Sequence, residues 1–361
     1  MQKEGNAIVY CQGMFNTPNG KTAHGLVRFT RRYQVIAVVD ARYAGEDAGL
    51  VLDGRLSGIL VEASIEKAIA KSEKSDYPAT HLVIGLAPDG GRLGLSARED
   101  IKTALRLGLN VDCGLHDFLT EDSELVTLAR EKGVDIRDVR KPPERTAMHF
   151  FSGKIEAVKA LKIAVLGTDS AVGKRTTAWL VVQGFQKLGV KAALVGTGQT
   201  AWMQGADHCV IMDSLVNDFV SGEIEHAVCA AWDTGCPDVI VLEGQGSLMN
   251  PAYPGGFEIL AAGRPDVILL QHAPARTEYD GFPGYPIQPL VHQIQAIELL
   301  SNKPVVGICV NHENIDDKKI NFVCEAIRMA IGRPAFDVLR DGSAELVNYL
   351  KSHFILKEHT A

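Results

Sequence analysis

Residues 161–185 constrain this chain more than any other stretch. The apolar run Leu161-Lys162-Ile163-Ala164-Val165-Leu166 is followed by Gly167-Thr168-Asp169-Ser170-Ala171-Val172-Gly173-Lys174-Arg175-Thr176-Thr177, and then by residues 178–185 with helical spacing. A strand, a glycine-bounded loop and a helix opening on Gly-Lys form an arrangement that holds a di- or triphosphate. Backbone N–H groups line such a loop, the helix N-terminus adds partial positive charge, and the lysine reaches the outer phosphates. The usual pattern is G-x-x-x-x-G-K-[ST]. Here the first glycine lies one residue further back, and Arg175 separates Lys174 from Thr176 and Thr177. An accidental Gly-Lys turn is the competing explanation, but it does not account for the strand and helix on either side. All eleven residues from Gly167 to Thr177 are therefore expected to bind phosphate, which does not by itself imply ATP hydrolysis.

A chain of 361 residues exceeds one comfortable core, so two domains are expected, over 1–150 and 151–361. In the first half, short β-branched runs at 7–10, 35–39, 82–86 and 109–112 read as strands. Between them lie a helical stretch at 65–71 and a helix from Ser96, with Ser96 and Glu99 as a capping box. Lys141-Pro142-Pro143-Glu144-Arg145 is a stiff extended segment that ends this pattern. The second half alternates again, with strands near 161–166, 191–195, 209–212, 238–242, 266–270 and 305–310. Its helices are expected near 223–233, 290–300, 319–330 and 344–350. Strands separated by helices imply parallel sheets. The expected fold is α/β, a Rossmann-like N-terminal domain plus a P-loop NTPase-like C-terminal domain with a parallel sheet. The first domain lacks G-x-G-x-x-G; its first loop reads Gly13-Met14-Phe15-Asn16-Thr17-Pro18-Asn19-Gly20. Without the second glycine a pyrophosphate cannot approach the backbone, so Asp40 reads as a strand-end polar residue and not as a ribose ligand of NAD.

A net charge of −7 gives no basic footprint for nucleic acid or an anionic membrane. No apolar stretch is long enough to span a bilayer, and the N-terminus lacks the h-region of a signal peptide. The seven cysteines are scattered without C-x-x-C spacing. They read as reduced core residues of a cytoplasmic protein and not as a zinc site. No metal ligand set is expected. A small-molecule substrate and a homo-oligomer are.

Candidate site residues gather at strand ends, where parallel sheets collect their ligands. Glu243 ends the run 238–242 and opens Glu243-Gly244-Gln245-Gly246. It can orient Mg²⁺ in a nucleotide enzyme, accept an ammonium proton in acyl transfer, or simply cap the next turn. Gly196-Thr197-Gly198-Gln199-Thr200 is a second strand-end turn, and Thr197, Gln199 and Thr200 are expected to face substrate. Asp213 is a third candidate, with a helix cap as its alternative role. His272 is expected to titrate near neutrality and serve as an acid or base, and Arg276 to grip a carboxylate. A satisfied polar pair is the alternative for both. Asp280-Gly281-Phe282-Pro283-Gly284-Tyr285-Pro286 has the Gly and Pro content of a shaped loop, and Asn311 ends the last long strand, where it can read an adenine edge.

The stretched Gly-Thr-Asp loop with Glu243-Gly244-Gln245-Gly246 resembles dethiobiotin synthetase and its P-loop relatives, although those have Thr directly after the lysine. The whole chain, from about residue 5 to 340, more closely resembles the D-glutamate N-acetyltransferase family. That likeness rests on the motifs at 167–177, 196–200 and 243–246, with Lys21-Thr22-Ala23-His24-Gly25 as a further family segment. The resemblance implies a Rossmann-like domain paired with a P-loop domain, and acetyl transfer from acetyl-CoA to the amine of D-glutamate or a similar amino acid. For that activity, the strand-end positions make Glu243 or His272 the expected catalytic acid or base, and the phosphate loop with Asn311 the expected donor site. The dethiobiotin synthetase likeness implies instead an ATP- and Mg²⁺-dependent ligase or kinase. A nucleotide-binding switch is the third expectation.

Overall fold

The computed structural model describes residues 3–355. They form two compact units, residues 3–143 with Gln199–Ala206, and residues 144–198 with 207–355. The division falls directly after Pro142-Pro143. Residues 144–150, expected with the first domain, cluster with the second, and Gln199–Ala206, expected in the second, clusters with the first.

The first unit holds β1 (Gly5–Tyr10), β2 (Tyr33–Val39), β3 (Leu60–Glu62), β4 (His81–Ile84), β5 (Asn110–Cys113) and β6 (Ile136–Asp138). Their order is 3-2-1-4-5-6, and every pairing is parallel. This is the doubly wound Rossmann order. Two apolar layers cover the sheet, one around Ile8, Tyr10, Leu82, Ile84, Ile101 and Leu105, the other around Val9, Phe15, Leu26, Tyr33, Val38 and Met203. Consecutive residues Ile8 and Val9 pack into opposite layers, as the two-residue repeat of a strand buried on both faces requires. The short strands β3 and β6 carry too few apolar residues to register as strands in the sequence. The helix Leu95–Arg106 starts one residue earlier than expected. Gly94 is its N-cap with no side-chain bond, so Ser96 lies inside the helix and the expected capping box does not form.

The second unit holds β7 (Leu161–Gly167), β8 (Ala192–Gly196), β9 (His208–Cys209), β10 (Val239–Glu243), β11 (Val267–His272), β12 (Val305–Val310) and β13 (Ala335–Phe336). The order is 13-12-11-7-10-8-9, again all parallel. β7 sits centrally between β10 and β11, with Glu243 opposite Val165 and Gln271 opposite Gly167. That register brings the phosphate loop, Glu243 and His272 to one edge of the sheet. The third strand expected in this half, 209–212, is reduced to His208–Cys209, and Met212–Ser214 is a tight helical turn.

Among the described residues no helix is long and apolar enough to cross a membrane. Cys11, Cys113, Cys309 and Cys324 are buried and unbridged, as expected for core thiols. Cys236 departs from that expectation: it is exposed, at the C-cap of helix Asn217–Gly235.

Candidate active site in the P-loop domain

β7 delivers Gly167 to the start of the loop, and helix Lys174–Lys187 takes over at its end. Gly173 precedes the helix at φ 108°, a conformation that side chains with a Cβ rarely adopt. Ala171 also lies in the left-handed region, at φ 53°. A non-glycine residue held there is uncommon and marks a constrained loop. Lys174 is buried, and its Nζ donates to Asp169 O and Gly246 O, both at 2.7 Å. The lysine thus lies across the loop against two backbone carbonyls. Because the helix begins at Lys174, Arg175 holds the position where the usual motif has a hydroxyl. Thr177 Oγ1 donates to the Gln271 side chain, and Thr176 is half-buried.

Asp169 is fully buried and ties the loop to its surroundings. Its Oδ1 accepts from Ser170 N–H (2.7 Å) and Asn250 Nδ2 (2.9 Å), and its Oδ2 from Asp280 N–H (2.8 Å) and Arg276 (3.0 Å). Arg276 also donates to Ser170 O and forms a two-pronged pair with Glu313. Its three guanidinium nitrogens therefore all engage oxygens of the chain itself. Burial works against its charge, but Glu313 and Asp169 more than offset that and push its pKa up. Asn311 Nδ2 donates to Val172 O (3.0 Å) and so braces the loop from the end of β12.

Glu243 closes β10 with a side chain almost wholly buried. Its Oε2 accepts one hydrogen bond, from Thr197 N–H at 3.0 Å, while Thr197 Oγ1 donates to Glu243 O. Burial raises the Glu243 pKa; the charges of Arg175 and Lys174 and the Thr197 N–H pull the other way without cancelling it. His272 closes β11, with Nδ1 3.1 Å from Thr168 Oγ1. Burial pushes its pKa down to about 4, so it is neutral at pH 7 and does not titrate near neutrality as expected.

The structure thus gathers Gly167–Thr177, Glu243, His272, Asn311, Arg276 and Thr197 at one sheet edge. Gln199 and Thr200 belong to the first unit, in the short helix Gln199–Met203, where Thr200 Oγ1 lies 2.8 Å from Thr22 Oγ1. Asp213 lines a cavity of about 240 Å³ in the P-loop domain. Sequence reading missed Asn250, which donates to Asp169 of the loop from 81 residues away, and Glu313, which holds Arg276 from 37 residues away. It also missed Gln245, within an already noted motif, as a bridge: Nε2 donates to Thr197 Oγ1 at 3.1 Å. Gly246 shows why that turn is glycine-rich, since it sits at φ 48° and a Cβ there would lie 2.1 Å from Tyr253 O.

A Rossmann-order sheet in one unit and a phosphate loop on a parallel sheet in the other define a two-domain α/β protein of Rossmann-like and P-loop type. The chain belongs to the DUF1611 family. Residues 41–142 match its Rossmann-like domain and residues 149–347 its P-loop domain, both described as domains of unknown function. It is similar to a D-glutamate N-acetyltransferase from Tritonibacter scottomollicae, with 30% identity over 81% of this chain and 85% of the relative. A D-glutamate N-acetyltransferase from a Pseudoalteromonas species is 31% identical over 76% of this chain and 82% of that one. Among solved structures it resembles a DUF1611 family protein from Anabaena variabilis, with TM-score 0.88 and 27% identity over 97% of this chain and 100% of the other.

Proposed function

We propose that this chain is an N-acetyltransferase that moves the acetyl group of acetyl-CoA to the amine of D-glutamate or a similar amino acid. The observation that carries the reading is Glu243, a buried, under-satisfied carboxylate with a raised pKa at a strand end beside the phosphate loop. The names of the two relatives support the choice of reaction and acceptor. CoA carries a pyrophosphate and a 3′-phosphate, which suit a loop of backbone N–H groups closed by Lys174.

Glu243 takes one proton from the acceptor ammonium. The free amine then attacks the thioester carbonyl carbon, forming the C–N bond, and the C–S bond breaks. The sulfur leaves with the electron pair and takes up a proton, and the second amine proton goes to solvent. A base with a pKa raised toward the working pH suits the first step. Arg175, where a Mg²⁺-ligating hydroxyl would otherwise sit, supports chemistry that needs neither nucleotide nor metal.

The test mixes protein with acetyl-CoA and D-glutamate in excess EDTA without nucleotide. Release of CoA equal to N-acetyl product is expected. Strict dependence on Mg²⁺ and ATP with stoichiometric ADP would overturn the reading in favour of a ligase or kinase.

A further inference from the structure

The cavity of about 240 Å³ is built entirely from the P-loop domain. Leu215, Val220 and Pro254 supply apolar wall; Asp213, Gln245 and Glu258 supply polar groups. Its size is below the roughly 300–1,000 Å³ of pockets for drug-sized ligands, so it suits a smaller metabolite. Glu258 Oε2 is sealed from solvent and accepts no hydrogen bond among the described residues. A buried carboxylate oxygen without a donor is costly, and a primary ammonium brings three donors and the opposite charge.

The wall of this cavity leads to both halves of the reaction centre. Gln245 donates to Thr197 Oγ1 at 3.1 Å, and Thr197 N–H donates to Glu243 Oε2 at 3.0 Å. The next residue, Gly246, gives its carbonyl to Lys174 Nζ at 2.7 Å. A ligand seated here therefore touches a turn held by the proposed base on one side and by the phosphate lysine on the other.

We propose that this cavity is where the acceptor docks before transfer, with Glu258 binding the ammonium of a small amino acid and the apolar wall holding its short carbon chain. The assignment rests on the acetyl-transfer reading for the word acceptor, but not for the binding of an amine. Two variants test it. Glu258→Gln keeps the shape and removes the charge, and Ala252→Trp puts bulk at an exposed position on the cavity's edge.

Calorimetry with D-glutamate, and with glutarate as the same skeleton lacking the amine, reads binding directly. Glu258→Gln should weaken D-glutamate binding by about 10- to 100-fold, the scale of one charge-assisted hydrogen bond. Glutarate, an anion that gains nothing from Glu258, should lose no affinity in Glu258→Gln, and the KM for acetyl-CoA should stay unchanged. Ala252→Trp should weaken D-glutamate binding with acetyl-CoA binding intact, which separates blockage of the cavity from misfolding. Unaltered D-glutamate affinity in both variants overturns the assignment even if acetyl transfer proceeds. So does wild-type protein that binds neither D-glutamate nor other small amino acids. Wild-type protein that binds D-glutamate through Glu258 but transfers no acetyl group sinks the reaction and leaves the amine site standing.

Discussion

Asp40 and Glu243 occupy equivalent places in the two sheets, each a buried acid at the carboxyl end of a parallel strand, and their surroundings set them apart. Asp40 accepts from Phe15 N–H (2.9 Å) and Arg42 N–H (3.0 Å) and pairs with the Arg42 guanidinium at 2.8 Å. Burial alone would raise its pKa; the bonds from Arg42 and Phe15 win, and it is lowered. Glu243 is buried too, but with one hydrogen bond and only the more diffuse pull of Arg175 and Lys174, and it is raised. Burial is common to both. The number of donors aimed at the charged form decides whether a strand-end acid is a fastening or a proton acceptor.

The sharpest break in this comparison is kinetic. Glu243→Gln should lower kcat for acetyl transfer by about two to four orders of magnitude, the usual scale of a lost general base. Asp40→Asn should leave kcat unaltered, and steady-state kinetics on both variants read the contrast. Next in size is donor binding. Lys174→Ala should weaken CoA binding by about 1.5–3 kcal/mol, measured by titration calorimetry. An unchanged dissociation constant would remove the phosphate-loop reading. Third, Asp40→Ala should destabilise the first domain by about 1–3 kcal/mol in denaturant unfolding, because it strands buried N–H donors, while CoA affinity holds.

The smallest effect is in the pH dependence of stability, where the two acids have opposite signs. A lowered pKa means that Asp40 stabilises the fold above its ordinary value of 3.8, and that this is lost as pH falls through its folded value. A raised pKa means that the Glu243 contribution is present below its ordinary value of 4.5 and lost as pH rises through its folded value. Glu243→Gln should therefore gain on the wild type as pH rises above 4.5, and Asp40→Asn should lose on it as pH rises toward 3.8, with the full deficit present above that value. Denaturation midpoints across pH 3–8 measure both trends.

Much of this was legible in the sequence because it is local. Strand, loop, Gly-Lys and helix lie within one stretch at 161–187, so periodicity and glycine placement expose the P-loop. The acid at the end of β10 is legible for the same reason. What was not legible depends on distant partners. Arg276 looks like a carboxylate grip until Glu313 and Asp169 are seen to hold it. His272 reads as a neutral-pH switch until its burial is known. Gln199 and Thr200 continue a strand-end motif in sequence, yet Thr200 pairs with Thr22, 178 residues away. Ser96 and Glu99 have the right spacing for a capping box, but the helix starts one residue earlier, at Leu95. Spacing proposes a local bond; tertiary packing decides where the helix begins.

The central claim is that two similarly placed acids are tuned in opposite directions. Carboxyl-carbon NMR titration of protein labelled at Asp and Glu side chains tests it most directly, with Asp40→Asn and Glu243→Gln used to assign the two signals. The account predicts that Asp40 titrates below 3.8 and Glu243 above 4.5. A Glu243 signal at or below the ordinary glutamate value, or an Asp40 signal at or above the ordinary aspartate value, would contradict it.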